Sequence, residues 1–105
     1  MDEKDPIIDQ IKFVVSEVLP GSAIILFGSH ARNENQKDSD YDLLVIVDEQ
    51  MDQTGKLKLQ ALIRKNLAVK DILVDIIIQS KADIEIKRKL RGHIVRSAMM
   101  EGFPI

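Results

Sequence analysis

Three short apolar runs divide this chain and constrain its fold more than any other feature. They span residues 23–27, 42–47 and 72–78. Each has the length of a buried strand and is bounded by polar or turn-forming residues. The runs therefore predict a small β-sheet that helices must cover.

Helical patterns lie before, between and after these runs. Residues 6–19 carry apolar side chains at helical spacing, with Asp5 as N-cap and Pro6 in the first turn. Residues 54–67 predict a moderately amphipathic helix, and residues 31–38 a short helix or a loop. Ser80 and Asp83 resemble a capping box, which opens a last helix to about residue 100. Residues 102–105 predict a short edge strand.

The polar residues between the first two runs predict how those strands pair. Gly28 and Ser29 follow the first strand, whereas Asp40 and Asp42 open the second. If both pairs serve one site, the two strands must run antiparallel. The helical crossover to the third strand favours a parallel pair. We therefore predict an α/β (α+β) fold, with a mixed sheet of three to four strands and helices on one face.

Size and composition exclude several classes of protein. The 105 residues fit a single domain, 1–105, and the absence of cysteine excludes disulfides, thiolate zinc sites and a cysteine nucleophile. The net charge of −2 disfavours general nucleic-acid binding. No apolar stretch has the length of a membrane span, and the acidic start lacks the order of a signal peptide. The cytoplasm is the expected location.

The aspartates form the first candidate site. Asp40 and Asp42 project to the same face of a strand, about 7 Å apart, and would repel without a cation between them. Asp75 interrupts the third apolar run, where a lone buried carboxylate is costly, so it is a candidate third ligand for a divalent metal. The alternatives are a solvated turn for the first two and a solvent-facing edge-strand position for Asp75.

A phosphate cradle is the second candidate feature. Gly28 and Ser29 suit a backbone that approaches a phosphate closely. Arg32 is placed either to contact a phosphate or to remain solvated. His30 is expected to be an exposed bystander.

Together these residues resemble a known signature. GSHAR followed by SDYDLLV is similar to the motif of nucleotidyltransferases related to DNA polymerase beta. It looks most like the minimal nucleotidyltransferases, small prokaryotic proteins encoded beside HEPN-domain partners. The likeness extends over residues 23–79 through the strand order and Asp75. One departure is Asn33, where many members have glycine.

The resemblance implies a polymerase beta-like fold and transfer of a nucleoside monophosphate, AMP from ATP, to a hydroxyl. It implies that Asp40, Asp42 and Asp75 are catalytic and bind two Mg²⁺ ions. Nucleotide-binding residues would be Gly28, Ser29, Arg32 and Ser39. Members of the family act as antitoxins that adenylylate a tyrosine of the HEPN ribonuclease partner.

Two other functions remain open at this stage. The first is a catalytically idle module that neutralises a partner by contact, through the basic stretch 87–91 and the apolar Met99, Met100 and Phe103. The second is a transferase acting on a small molecule such as an aminoglycoside.

Overall fold

The computed structural model describes residues 5–33 and 40–105. In chain order the elements are α1 Pro6–Val18, β1 Ala23–Phe27, α2 Gly28–Ala31, β2 Tyr41–Val47, α3 Gln53–Ala68, β3 Val74–Ser80, α4 Lys81–Lys87, α5 Ile94–Glu101 and β4 Phe103–Pro104. The first three strands agree with the predicted apolar runs to within two residues at each end. None of the helices in these residues is long and apolar enough to span a membrane.

The sheet is mixed, as predicted. Its strand order is β3-β2-β1-β4. The strands β1 and β2 pair antiparallel, and β2 and β3 pair parallel across the helix α3. The short strand β4 adds antiparallel to the other side of β1, which confirms the predicted C-terminal edge strand.

Helices cover both faces of the sheet. On one face, Leu43 and Val45 of β2 pack in a core with Ile11 of α1 and Ile63 of α3. Side chains alternate along a strand, so Leu44 points to the other face. There it packs in a smaller core whose helical members are Ile84 of α4 and Val95 and Ala98 of α5. The sequence predicted helices on one face, and α1 and α3 lie there. The helices α4 and α5 cover the other face, which the sequence did not predict.

The C-terminal region departs from the single long helix that the sequence predicts. The capping box is present, since Asp83 N–H donates to Ser80 Oγ and Ser80 N–H to Asp83 Oδ2. However, α4 ends at Lys87, and α5 begins only at Ile94. Gly92, directly before the residue that caps α5, has a φ of 74°, a left-handed turn conformation that glycine adopts readily.

His93 caps the new helix that follows this turn. Its Nδ1 accepts from the Val95 N–H at 3.1 Å. His93 is therefore the N-cap of α5.

The connection between β1 and β2 also begins differently. A helical turn, α2, starts directly at Gly28 with no intervening loop. The short helix or loop expected over 31–38 lies mostly outside the described residues.

Candidate functional site

The antiparallel pairing of β1 and β2 brings Gly28 against Asp42. Phe27 is the register partner of Asp42, so the residue after β1 starts beside that carboxylate. Gly28 has a φ of 75°, and a Cβ added there would overlap Asp42 Oδ2 and lie 2.9 Å from Asp42 Cγ. Only glycine satisfies both the left-handed backbone and this close approach. The two halves of the sequence motif are therefore in direct contact.

The parallel pairing of β2 and β3 brings in the third aspartate. Asp75 is the register partner of Asp42, and register partners on neighbouring strands point to the same face. Asp75 is exposed and lies on the edge strand β3. Its position thus combines the two interpretations of the sequence: it faces solvent, and it lies beside Asp42.

The electrostatics of Asp42 link all three aspartates. Its pKa is raised first by burial, and then by the charges of Asp75 and Asp40. His30 and Arg32 act in the opposite direction. Asp40 itself is exposed and immediately precedes β2. The structure therefore places two negative charges close enough to disfavour ionisation of a third.

The aspartates suit a hard cation by their chemistry. Carboxylate oxygens are the ligands that Mg²⁺ takes in proteins, and a cation would offset the mutual repulsion felt at Asp42. Within residues 5–33 and 40–105, no three His, Asp or Glu side chains already converge as a complete ligand set. The charges of Asp40 and Asp75 act on Asp42, and these two side chains are exposed to solvent.

The predicted phosphate contacts lie around α2. Ser29 is half-buried in its first turn. Asn33 follows with a φ of 56°, a left-handed conformation that asparagine tolerates. Ser39 lies outside the described residues.

Arg32 is held at the rim by a residue that the sequence did not identify. Its Nη1 donates to Glu101 Oε2 at 2.7 Å, and both side chains are partly exposed. This ion pair joins the end of α2 to the end of α5. The two residues are 69 positions apart, and no motif relates them, so only the tertiary structure reveals the contact.

His30 is part of the site's framework. Its ring stacks on Tyr41, with centroids 3.6 Å apart and planes inclined by 12°. Burial, followed by the charge of Asp5, raises the pKa of Tyr41. The stack joins α2 to the first residue of β2 and leaves His30 half-buried, so the expectation that its side chain is exposed was wrong.

Fold and site together define the class of protein. Residues 7–102 match the family model described as "Nucleotidyltransferase domain". The chain belongs to this nucleotidyltransferase family. No curated protein gives a significant match to the sequence.

Two solved structures share the fold. One is a crystal structure of a toxin–antitoxin with AMP-PNP, with a TM-score of 0.64 and 20% identity. The other is a mutant of the toxin–antitoxin MntA-HpeT, with a TM-score of 0.61 and 18% identity. Each match covers 91% of this chain and 69% of the other chain. At these identities the likeness concerns the fold.

Proposed function

We propose that residues 1–105 form a single nucleotidyltransferase domain that transfers AMP from ATP to a hydroxyl of a partner protein. The observation that carries this proposal is the packing of Asp42 against Gly28 with Asp75 at its register position. A carboxylate is thereby held beside the half-buried turn that begins at Gly28, where a triphosphate and its cations can meet. The family match supports the class of reaction.

The residues divide the work as follows. Gly28 and Ser29 bind the triphosphate through backbone N–H groups and a hydroxyl, and Arg32 adds a charged contact. Asp40, Asp42 and Asp75 would hold two Mg²⁺ ions. These ions would neutralise the charge that develops on the attacking and leaving oxygens.

Asp75 also accounts for the fate of the proton. The acceptor oxygen forms a bond to the α-phosphorus, the bond from that phosphorus to the oxygen bridging to the β-phosphate breaks, and pyrophosphate leaves. The hydroxyl proton passes to a carboxylate oxygen of Asp75. Its exposure on the edge strand supports this role, because an acceptor on another molecule can reach it.

We further propose that the chain is an antitoxin whose acceptor is a tyrosine of a HEPN-domain toxin. Both similar structures are toxin–antitoxin structures, and one contains AMP-PNP. The sequence motif resembles the same group. A cytoplasmic location follows from the proposed ATP chemistry and partner.

Transfer is tested with ATP labelled at the α-phosphate, Mg²⁺ and a HEPN-domain partner. The wild-type chain should label the partner, whereas Asp40→Asn and Asp42→Asn should reduce labelling roughly 100-fold or more. Asp71→Asn is the matched control, because Asp71 is exposed, has a φ of 61° and lies in the turn before β3. Binding without labelling of the partner by the wild-type chain would refute the transfer activity.

Neutralisation by contact is the second candidate, supported by an exposed basic and apolar segment between α4 and α5. The same variants separate the two functions. If Asp40→Asn and Asp42→Asn still neutralise the toxin fully, contact is sufficient and the site is idle. If neutralisation is lost together with labelling, transfer is the mechanism.

A further inference from the structure

The segment from Glu85 to Arg96 forms a surface that the nucleotide chemistry does not use. We call it the basic–apolar surface. It combines three exposed aliphatic side chains with five cationic residues: Ile86, Leu90, Ile94, Lys87, Arg88, Lys89, Arg91 and Arg96. The aliphatic side chains are 66%, 47% and 50% exposed, respectively. These exposures show that the fold itself does not cover them.

Local backbone hydrogen bonds keep this segment compact. Leu90 N–H donates to the Lys87 carbonyl at 3.1 Å, and His93 N–H donates to the Leu90 carbonyl at 3.2 Å. The consecutive turns place Ile86, Leu90 and Ile94 at intervals of four residues along a folded connection. The segment that carries these aliphatic side chains is therefore folded into hydrogen-bonded turns.

The charges of this surface are largely uncompensated. Lys87 donates to Gln79 Oε1, which is neutral, and Arg88 reaches Glu85 only at 3.8 Å. Lys89, Arg91 and Arg96 make no ion pair in the described part of the chain. The whole chain nevertheless has a net charge of −2. Cations concentrated in one segment of an acidic protein are complementary to an acidic partner surface.

The basic–apolar surface lies on the same side of the sheet as the aspartates. Asp42 and Leu44 are two residues apart on β2, so their side chains share a face of the sheet, and Leu44 packs there with Ile84 and Val95. The helices α4 and α5 thus flank the face onto which Asp42 projects. A protein docked on them lies on the side where the carboxylates open to solvent.

We propose that the basic–apolar surface docks the acceptor protein, through an acidic patch on that protein that also presents apolar side chains. This inference rests on the proposed function, with the HEPN-domain toxin as acceptor. A protein fits better than RNA, because the exposed centre is aliphatic. Residues 85–96 contain no Phe, Tyr or Trp on which bases could stack.

The test compares two charge reversals of equal size. The first, Lys89→Glu with Arg91→Glu, changes exposed residues of the basic–apolar surface. The matched control, Lys58→Glu with Lys65→Glu, changes two exposed residues of α3. Both alter the net charge equally, so any general effect of charge on association is the same. Binding of the HEPN-domain protein is measured by calorimetry at two salt concentrations.

We expect the first variant to weaken partner binding roughly 10-fold or more, and the control to stay close to wild type. Wild-type affinity should fall with added salt, and this dependence should weaken in the first variant. Ile86→Ser tests the apolar part, with Val69→Ser as control because Val69 is 77% exposed at the end of α3. Affinity for ATP with Mg²⁺ should be unchanged in all four variants.

The outcomes separate the docking surface from the chemistry. If the first variant binds the partner and labels it as well as the wild-type chain does, the docking assignment is overturned and transfer stands. If the wild-type chain binds the partner through this surface but does not label it, docking stands and transfer fails. Loss of RNA binding in the first variant, with partner affinity unchanged, also overturns the assignment. Failure of the wild-type chain to bind the partner overturns both.

Discussion

At the scale of single residues, the site depends on one glycine and the carboxylate that it contacts. Gly28 combines a positive φ with an approach to Asp42 that leaves no room for a Cβ. Gly21 offers a comparison within the same chain, since its φ is 81° but nothing lies within 4 Å of an added Cβ. The two glycines therefore separate backbone strain from steric overlap.

Gly28→Ala should cost about 3 kcal/mol in the free energy of unfolding, because strain and overlap add. Gly21→Ala should cost only about 1 kcal/mol, from the backbone alone. Urea unfolding of both variants measures the difference. Equal losses would show that Asp42 moves away freely and does not constrain the turn.

Asp42→Asn should increase stability at neutral pH while abolishing transfer. Burial and neighbouring charges raise the pKa of Asp42 in the folded state. Between the unfolded and the folded pKa, the native form therefore holds a proton that the unfolded chain has released. The free energy of unfolding falls as pH rises between these two values. Above both values, the ionised carboxylate destabilises the fold, and asparagine removes this effect.

The free energy of unfolding, measured from pH 3 to pH 8, checks this sign. The advantage of Asp42→Asn should shrink as pH falls below about 4, where the carboxyl is protonated in both states. Glu17→Gln, on an exposed position of α1, serves as the control. A loss of stability in Asp42→Asn at pH 7 would contradict the repulsion inferred at this site.

At the scale of elements, one ion pair anchors the C-terminal layer. Lys56 of α3 donates to Asp83 Oδ2 at 2.9 Å, and both side chains are largely buried. Asp83 also completes the capping box of α4. The hydrogen bond from Lys56 is the main cause that lowers the pKa of Asp83 to about 2. Lys81 of α4 and Asp48, which follows β2, form an exposed ion pair that serves as a comparison for the buried one.

Asp83→Asn should lower the free energy of unfolding at pH 7 by about 2 kcal/mol, because Lys56 loses its buried counter-charge. Asp48→Asn should change it by less than about 0.5 kcal/mol. The contribution of Asp83 is present above its unfolded pKa and is lost as pH falls from about 4 towards 2. Thermal unfolding across this range should therefore show wild type and Asp83→Asn converging in acid. A constant difference in stability between wild type and Asp83→Asn at every pH would contradict the stabilising role of the Asp83 carboxylate.

The elements themselves were largely predictable, and the failures have a local cause. The signals for β1 and for the caps at Asp5 and Ser80 act within a few residues, so the sequence displays them. Ile7 N–H indeed donates to Asp5 Oδ1 at 2.9 Å. The break before α5 was missed because Lys and Arg are good helix formers, while the decisive Gly92 and the cap at His93 are weak signals in isolation.

At the scale of the whole molecule, binding of nucleotide should stabilise the fold. The proposed triphosphate site joins β1, β2 and α2, so a ligand that binds only the folded state shifts the equilibrium by mass action. At a concentration of 100 times its Kd, a non-hydrolysable ATP analogue with Mg²⁺ should add about 2.7 kcal/mol. This corresponds to a rise in Tm of roughly 10 °C for a domain of this size.

Differential scanning calorimetry tests this coupling. The rise should disappear with a chelator, and Asp40→Asn with Asp42→Asn should show little of it. Asp71→Asn should retain the full rise. The same stabilisation without Mg²⁺, or in the doubly substituted chain, would contradict a carboxylate-held cation at the site.

The sequence by itself determined the strands, the mixed sheet and the spacing of Gly28, Asp40 and Asp42, because those features follow from local periodicity and from one short connection. Tertiary structure alone decided that Asp75 is the register partner of Asp42, and that Arg32 pairs with Glu101. Register and long-range ion pairs depend on how distant elements pack. No local pattern encodes that packing, so the site's outer contacts became visible only in the folded chain.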